Sequence, residues 1–142
     1  MPFPDIDYCI ICEAVRPEGG GKLSLLGFYG MAPQVEILVV NIAQPVQLFF
    51  VIGMGASERE EQYVHTVTLS DSHGTVIAQT PATTARAVPR QRGVLAFGIV
   101  VRFPADGLYN IQVQIDGRMQ YQTSFGLRQA RPAEQDRVGH IV

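Results

Sequence analysis

The feature that most constrains this fold is the way its apolar residues are grouped. They occur in short segments rich in Val, Ile, Phe and Tyr, and each segment is bounded by Gly, Pro, Asn or Asp. No window of ten or more residues has the apolar spacing of a helix, so short strands separated by turns are predicted. The nine predicted strands cover residues 6–15, 22–30, 35–41, 46–52, 62–70, 75–79, 94–103, 108–115 and 118–127. Strands at this spacing, without helices between them, predict an all-β sandwich or barrel.

The length and composition indicate one folded domain with a short tail. The chain has 142 residues, of which 46% are hydrophobic and 17% are charged. A chain of this length buries enough surface to fold without disulfides or metals, and its low charge excludes a charge-rich disordered protein. We expect the β-sandwich domain to span residues 1–128. Residues 129–142 lack any apolar period and are expected to form a flexible tail.

The net charge and the N-terminal sequence limit the partners and the compartment. A formal net charge of -2 argues against nucleic-acid binding, which usually needs a strongly basic domain. The N-terminus has no basic segment followed by an apolar run, and no apolar segment approaches the ~20 residues of a membrane-spanning helix. We therefore expect a soluble, cytoplasmic protein with no nucleic-acid and no membrane partner.

Two predicted strands carry apolar side chains on both faces. In strand 22–30, Leu26 and Phe28 point to one face, and the residues that point to the other face are also apolar. In strand 46–52, Phe49 likewise points away from a face that is already apolar. Such strands must be covered on both faces. The second sheet covers one face, and a loop or another subunit must cover the other. A homo-oligomer interface is therefore a candidate for this cover.

The alternation of residues in the C-terminal hairpin predicts its register. Asp116-Gly117 favours a two-residue turn, but that turn pairs apolar with polar side chains on one face. A three-residue loop that begins at Ile115 avoids this conflict. It pairs Val113 with Met119 and Ile111 with Tyr121, and we expect that register.

The sequence Ser70-Asp71-Ser72-His73-Gly74 contains the residue types of a hydrolytic triad but predicts a turn. A triad needs a nucleophile, a base and an orienting acid from separate segments, whereas these residues are adjacent. Asp, Ser and Gly are also the residues that turns favour. A four-residue loop at 71–74 pairs Leu69 with Val76 and Val67 with Ala78, and we expect no catalytic residue here.

The two cysteines, Cys9 and Cys12, have the C-x-x-C spacing of redox and metal sites. Their surroundings are β-branched and aromatic, and residues three apart in a strand point to opposite faces. A zinc site needs two more ligands, and the three His residues are scattered along the chain. We therefore expect two reduced, mostly buried cysteines, with no metal and no cofactor. His65 shares a strand face with Tyr63 and is expected to be a hydrogen-bonded core or rim residue rather than a base.

The one local basic cluster consists of Arg86, Arg90 and Arg92, which lie in the predicted long loop Thr80–Gly93. Arginine forks bind carboxylates and phosphates, so these three residues are candidates for an anion-binding site. The preferred alternative is a solubilising loop over a sheet edge.

Tyr109 follows Asp106-Gly107-Leu108 at the start of a predicted strand. It resembles the tyrosine that anchors a corner in immunoglobulin-like sandwiches by bonding to the backbone upstream. Its role is then structural.

The segment from Cys12 to Gly30 contains a Cys-Glu-Ala-Val-Arg strand followed by Gly-Lys-Leu-Ser and a later Gly. It resembles the opening of a family of small bacterial proteins known as a domain of unknown function. The layout of residues 66–76 and 103–117 is similar too, so the resemblance spans residues 5 to about 127. It implies an immunoglobulin-like or similar β-sandwich, and it implies no activity and no catalytic residues. With the nine predicted strands, we therefore expect an all-β fold, a single antiparallel immunoglobulin-like β-sandwich of about eight to nine strands.

Together these patterns lead to two hypotheses about function. The first is a non-catalytic protein-interaction or assembly module whose partner is another protein or a second copy of the chain. The alternative is a sandwich that binds a small anionic ligand with the loop Thr80–Gly93. A hydrolase built from distant loops is the least favoured class.

Overall fold

The computed structural model describes residues 5–56 and 61–133, and these residues form ten strands. The strands are β1 Ile6–Pro17, β2 Leu23–Met31, β3 Glu36–Val39, β4 Val46–Met54, β5 Glu61–Ser70, β6 Val76–Gln79, β7 Thr83–Ala87, β8 Gly93–Val101, β9 Gly107–Ile115 and β10 Arg118–Gln129. A short 3-10 turn at Gly19–Gly21 joins β1 to β2. The predicted all-β class is confirmed.

The strands form two sheets. The four-stranded sheet has the order β2-β1-β4-β8, and the six-stranded sheet has the order β3-β10-β9-β5-β6 with β7 also paired with β5. All pairs are antiparallel except that of β3 with β10. The two sheets contribute to one core, while the immunoglobulin-like assignment stays a prediction.

An aromatic cluster joins the two sheets in this core. Phe50 of β4 and Phe125 of β10 are both almost fully buried, and their ring centroids are 6.4 Å apart. Phe125 also stacks on Tyr109 at 6.0 Å, and Phe103 meets Tyr109 edge-on at 4.8 Å. Offset and edge-on contacts at these distances are the favourable aromatic arrangements. The cluster therefore fixes which face of each sheet points inward.

Strand β7 lies inside the segment Thr80–Gly93, which the sequence predicted to be a loop. The pairing of β7 with residues 61–65 of β5 corrects that prediction. Strand β6 pairs only with the last residues of β5, so the first half of that edge is open to a second partner. Ala85 and Ala87 pack against the core while Thr84 and Arg86 are exposed. Because small alanines alternate here with polar side chains, the segment lacks the large apolar residues that indicate a strand in a sequence.

The predicted register of the C-terminal hairpin is wrong. Asp116 and Gly117 both have positive φ, 50° and 81°, and Ile115 pairs directly with Arg118, so the turn has two residues. Positive φ at both central residues gives the turn whose twist suits a hairpin. The register then shifts between Met119 and Tyr121, and this bulge resolves the clash of apolar and polar faces without a longer loop. Tyr121 consequently faces Val113, and Met119 is exposed.

The register of the hairpin at residues 71–74 also differs from the expectation. Leu69 pairs with Ala78 instead of Val76, and Ser70 pairs with Val76. The extra residue, Ile77, sits in a bulge and packs against the core, which leaves Val76 exposed. The turn itself is as expected, because the Asp71 carboxylate accepts hydrogen bonds from the His73 and Thr75 N–H groups.

The structure describes the beginning of the predicted tail. Strand β10 ends at Gln129, and Ala130 is buried and donates its N–H to the carbonyl of Val39. Residues 134–142 of the predicted tail lie outside the described residues.

Tyr109 makes the backbone contact that its sequence position indicated. Its hydroxyl donates a hydrogen bond to the carbonyl of Ala105 at 2.5 Å, four residues upstream, and its ring is buried among Phe103 and Phe125. The connection between β8 and β9 is thereby tied to the core.

We predict that Tyr109→Phe lowers the free energy of unfolding by about 1–2 kcal/mol, because the Ala105 carbonyl loses its partner while the ring stays in place. Tyr109→Leu should cost more, since it also removes the aromatic contacts. Denaturant unfolding measures both values. A Tyr109→Phe variant as stable as the parent would show that the hydroxyl does not anchor this corner.

Candidate functional site

The apolar excess of the sequence is concentrated in the four-stranded sheet. The two strands predicted to be apolar on both faces are β2 and β4, and both belong to this sheet. Leu48, Phe50 and Ile52 of β4 point into the core. The residues between them, including Phe49 and Val51, therefore point to the opposite side. We call this opposite side the outer face of the four-stranded sheet.

The strand pairings identify the other members of the outer face. Residues paired directly across an antiparallel ladder share a face. Val51 pairs with Ile10 of β1 and with Ala96 of β8, and Phe49 pairs with Cys12 and Gly98. The middle of this face is therefore apolar on three adjacent strands.

Two aromatic rings lie over glycines on the outer face. A Cβ atom added to Gly53 would lie 2.1 Å from the ring of Tyr8, and one added to Gly98 would lie 2.7 Å from the ring of Phe49. These rings occupy the space that a side chain would take on the neighbouring strand. The glycines are thus required by close packing, and the rings keep the face flat.

The outer face contains a shallow groove. It has a volume of about 230 Å³ and receives side chains from all four strands of the sheet. Its lining residues are Tyr8, Ile10, Leu23, Leu25, Val51 and Val94. A concave apolar surface of this kind is typical of a binding site for another apolar surface.

Large apolar side chains beside the groove are exposed. Phe28 of β2 is 59% exposed and Val100 of β8 is 67% exposed, while Leu26 and Val94 are also exposed. In the part of the chain that the structure describes, no helix covers this face. Residues of β2 and β8 therefore leave apolar surface exposed at the two sides of this sheet, whereas Val51 of β4 between them is buried, with 4% of its surface exposed.

Sequence reasoning did not identify β8 as part of this surface. The strand itself was predicted, but its exposed residues Val94, Ala96 and Val100 were not recognised as a second apolar face. The signal was present, because they alternate with Leu95, Phe97 and Ile99, which pack toward the core.

The three arginines of the predicted anion site do not all converge. Arg86 and Arg92 line one small cavity of about 80 Å³ together with Gln91. Arg92 also donates to the Asp7 carboxylate at 2.6 Å. Arg90 lies at a turn with a positive φ of 62° and does not line this cavity. Arg86 and Arg92 are thus brought together, and Arg92 already has a carboxylate partner in Asp7.

The two cysteines are buried, and their thiols are free. Burial raises the pKa of the Cys9 thiol to about 12 and also raises that of Cys12. Both thiols are therefore protonated at neutral pH, which lowers their reactivity as nucleophiles. Cys9 packs in the core, while Cys12 pairs with Phe49 on the outer-face side.

Among the described residues, no group of three His, Cys, Asp or Glu side chains could hold a metal ion. The same part of the chain contains no helix that is long and apolar enough to cross a bilayer.

His65 is buried on β5, as its strand face predicted, with only 7% of its surface exposed. Its Nδ1 atom has no hydrogen-bond partner among the described residues. Its cross-strand neighbours are Ile115 and Thr83, and its ring lies 6.3 Å from that of Tyr63. Burial lowers the pKa of His65 below its usual value of 6.5. The imidazole is therefore a neutral core side chain.

Comparison with known proteins places the chain in one family. Residues 7–128 match a family described as a family of unknown function, DUF6941, which confirms the resemblance drawn from residues 12–30. No curated protein sequence matches the chain. Among solved structures, the chain is similar to the Pseudomonas fluorescens alkylpurine DNA glycosylase AlkC bound to DNA containing an abasic site analog, with a TM-score of 0.48 and 12% identity. The match covers 68% of this chain and 28% of that protein, and a likeness at this level carries no argument about function.

We predict that His65 makes the protein less stable as the pH falls below 6.5. In the unfolded state the His65 imidazole binds a proton at its ordinary pKa, whereas in the folded state its pKa is lower. As the pH falls from the unfolded pKa toward the folded pKa, proton binding therefore favours the unfolded state. Between pH 7.5 and 5.5 the parent should lose roughly 1 kcal/mol more stability than His65→Leu. Denaturant unfolding at both pH values measures the difference, and all other titrating groups are common to the two proteins. Equal losses in parent and variant would contradict the assignment.

Proposed function

The chain belongs to the family of unknown function DUF6941, and we propose that this protein is a non-catalytic module that assembles with another protein through the outer face of its four-stranded sheet. The observation that carries the proposal is the apolar character of that face. Removing apolar surface from water stabilises an assembly by about 25 cal/mol per Å². Its exposed part consists of Leu26 and Phe28 of β2 and Val94 and Val100 of β8, and exposed apolar surface of this kind often marks a protein-interaction site.

The shape of the outer face favours a protein partner. The groove is shallow, and its lining residues are all apolar apart from the Tyr8 hydroxyl. A small-molecule site usually has several convergent polar groups that orient the ligand. A shallow apolar groove with an aromatic residue, Phe28, beside it has the composition of the centre of a protein interface.

The absence of catalysis is part of this proposal. The residues whose chemistry could serve a reaction, namely His65 and the two cysteines, are packed side chains in their uncharged forms. Because enclosed side chains cannot reach a substrate in solution, we assign these residues to packing. We place the assembly in the cytoplasm, where free thiols remain reduced.

We predict that a photo-crosslinking amino acid at position 28 forms a covalent adduct with a protein in the cells that produce this chain. The matched control is position 119, because Met119 is 56% exposed, close to the 59% of Phe28, but lies on the six-stranded sheet. An adduct at position 28 that is absent at 119, and that disappears when Leu26 is changed to Gln, supports the proposal. A probe at position 28 that gives no protein adduct, or gives the same adducts as position 119, contradicts it.

A second candidate function is supported by the cavity beside β7. Arg86 and Arg92 line the same cavity, and its volume of about 80 Å³ has room for several waters or one small anion. Arginine side chains bind phosphate and carboxylate groups with paired hydrogen bonds. The loop Thr80–Gly93 would then bind a small anionic ligand, with Arg90 at its rim.

We expect this site, if it operates, to raise the melting temperature by about 3 °C or more in millimolar inorganic phosphate, a sugar phosphate or a dicarboxylate. The triple variant Arg86→Ala, Arg90→Ala, Arg92→Ala should lose the rise. Arg118→Ala, which removes an exposed arginine from the turn after β9, should keep it. A parent protein that responds to none of these anions rules out the ligand-binding function.

A further inference from the structure

Strand β8 has an unpaired edge. It forms the end of the four-stranded sheet and pairs with β4 through nine consecutive residue pairs, without a bulge. In an antiparallel pair, every second residue directs its N–H and C=O groups away from the partner strand. Among the described residues, no strand pairs with β8 on its other side. Its outward-pointing backbone groups are therefore available to another strand.

The other sheet edges are shortened or distorted. Strands β3 and β6 have four residues each, and β7 has five. Strand β2 is longer, but Gly27 has a positive φ of 65° and the register of its pairing with β1 shifts nearby. Proteins commonly protect edges by short strands, bulges, prolines and charges. Strand β8 has none of these within residues 93–101.

Open space lies beside this edge. A groove of about 390 Å³ separates residues 98–100 of β8 from residues 77–81 of the six-stranded sheet. The second sheet does not close over the edge there, and an additional strand has room to approach.

The sequence of β8 is a chemical palindrome centred on Phe97. Moving outward from Phe97, the residues on its two sides match in type at four of five steps, the exception being Gly93 with Val101. The pairs are Ala96 and Gly98, Leu95 and Ile99, Val94 and Val100, Gly93 and Val101, and Arg92 and Arg102. A contact between two copies about a two-fold axis requires this self-complementarity, because residue i meets residue j and j meets i.

We propose that β8 pairs antiparallel with β8 of a second copy about a two-fold axis through Phe97, so that the two four-stranded sheets become one sheet of eight strands. Val94 of each copy then lies opposite Val100 of the other, and the small residues Ala96 and Gly98 meet in the middle. No charge falls within the paired segment. The proposal builds on the proposed function, since the pairing joins the outer faces of two copies into one continuous surface.

The charges at the ends of the strand are compatible with this pairing. Arg92 of one copy meets Arg102 of the other, which alone would be repulsive. Asp7 already accepts a hydrogen bond from Arg92 at 2.6 Å. Its carboxylate can accept from more than one donor, so each end holds two arginines around one acid.

The test uses two double variants of the full chain, with the mass in solution measured by light scattering behind size-exclusion chromatography. The parent is expected to be a dimer at tens of micromolar. Val94→Lys with Val100→Lys places lysine opposite lysine at both ends and should weaken the dimer about 10-fold or more. Val94→Glu with Val100→Lys removes the same two valines but places Glu opposite Lys, so it should remain dimeric at the same concentration. Both valines are exposed, and circular dichroism checks that each variant is folded.

The outcomes separate this inference from the proposed function. A monomeric parent overturns the β8 pairing, and an adduct at position 28 with a different protein would still support the proposed function. A dimer that weakens equally in both double variants is formed by apolar contact instead of strand pairing, which also overturns the inference. A monomeric parent without any specific adduct at position 28 overturns both.

Discussion

The contact between Phe50 and Phe125 holds the two sheets of this protein together, and much of the remaining structure depends on it. Through Phe125 it reaches Tyr109 and Phe103, so strands β4, β9 and β10 meet in one aromatic cluster. Once the ring of Phe50 points inward, its neighbours along β4 must point outward, because side chains alternate along a strand. The core contact thereby determines that Phe49 and Val51 lie on a face which the second sheet cannot reach.

Burial gives the interior a consistent chemistry. The thiol of Cys9, the hydroxyl of Tyr63 and the imidazole of His65 all have pKa values displaced toward the uncharged form, and loss of water is the largest cause in each case. The charged side chains with described partners are at the surface, as in the pair of Arg92 with Asp7. Such exposed pairs contribute little to stability, so the fold depends on apolar packing.

The sequence predicted the strands and the apolar surface because both follow from local alternation. It could not predict β7, because Ala85 and Ala87 carry too little apolar surface to indicate a strand. The strand forms because β6 leaves residues 61–65 of β5 unpaired on that side, and β7 pairs with them. It also missed both hairpin registers. The bulges at Met119–Tyr121 and at Ile77 each insert one residue, and the turn sequence alone does not contain that information. Of the predicted arginine cluster, Arg86 and Arg92 share a cavity at the short connection between β7 and β8, and β7 is the strand that the sequence did not predict.

Gly27 has a significance for assembly beyond the shape of its own strand. A sheet that can be extended at both edges grows into a fibre, whereas one that can be extended at a single edge stops after one addition. In the proposed dimer, pairing through β8 uses that edge completely, and the far edge of each copy is β2. That strand combines the left-handed backbone at Gly27 with a register shift opposite Ile11 and Cys12, and this irregular edge opposes the addition of a further strand.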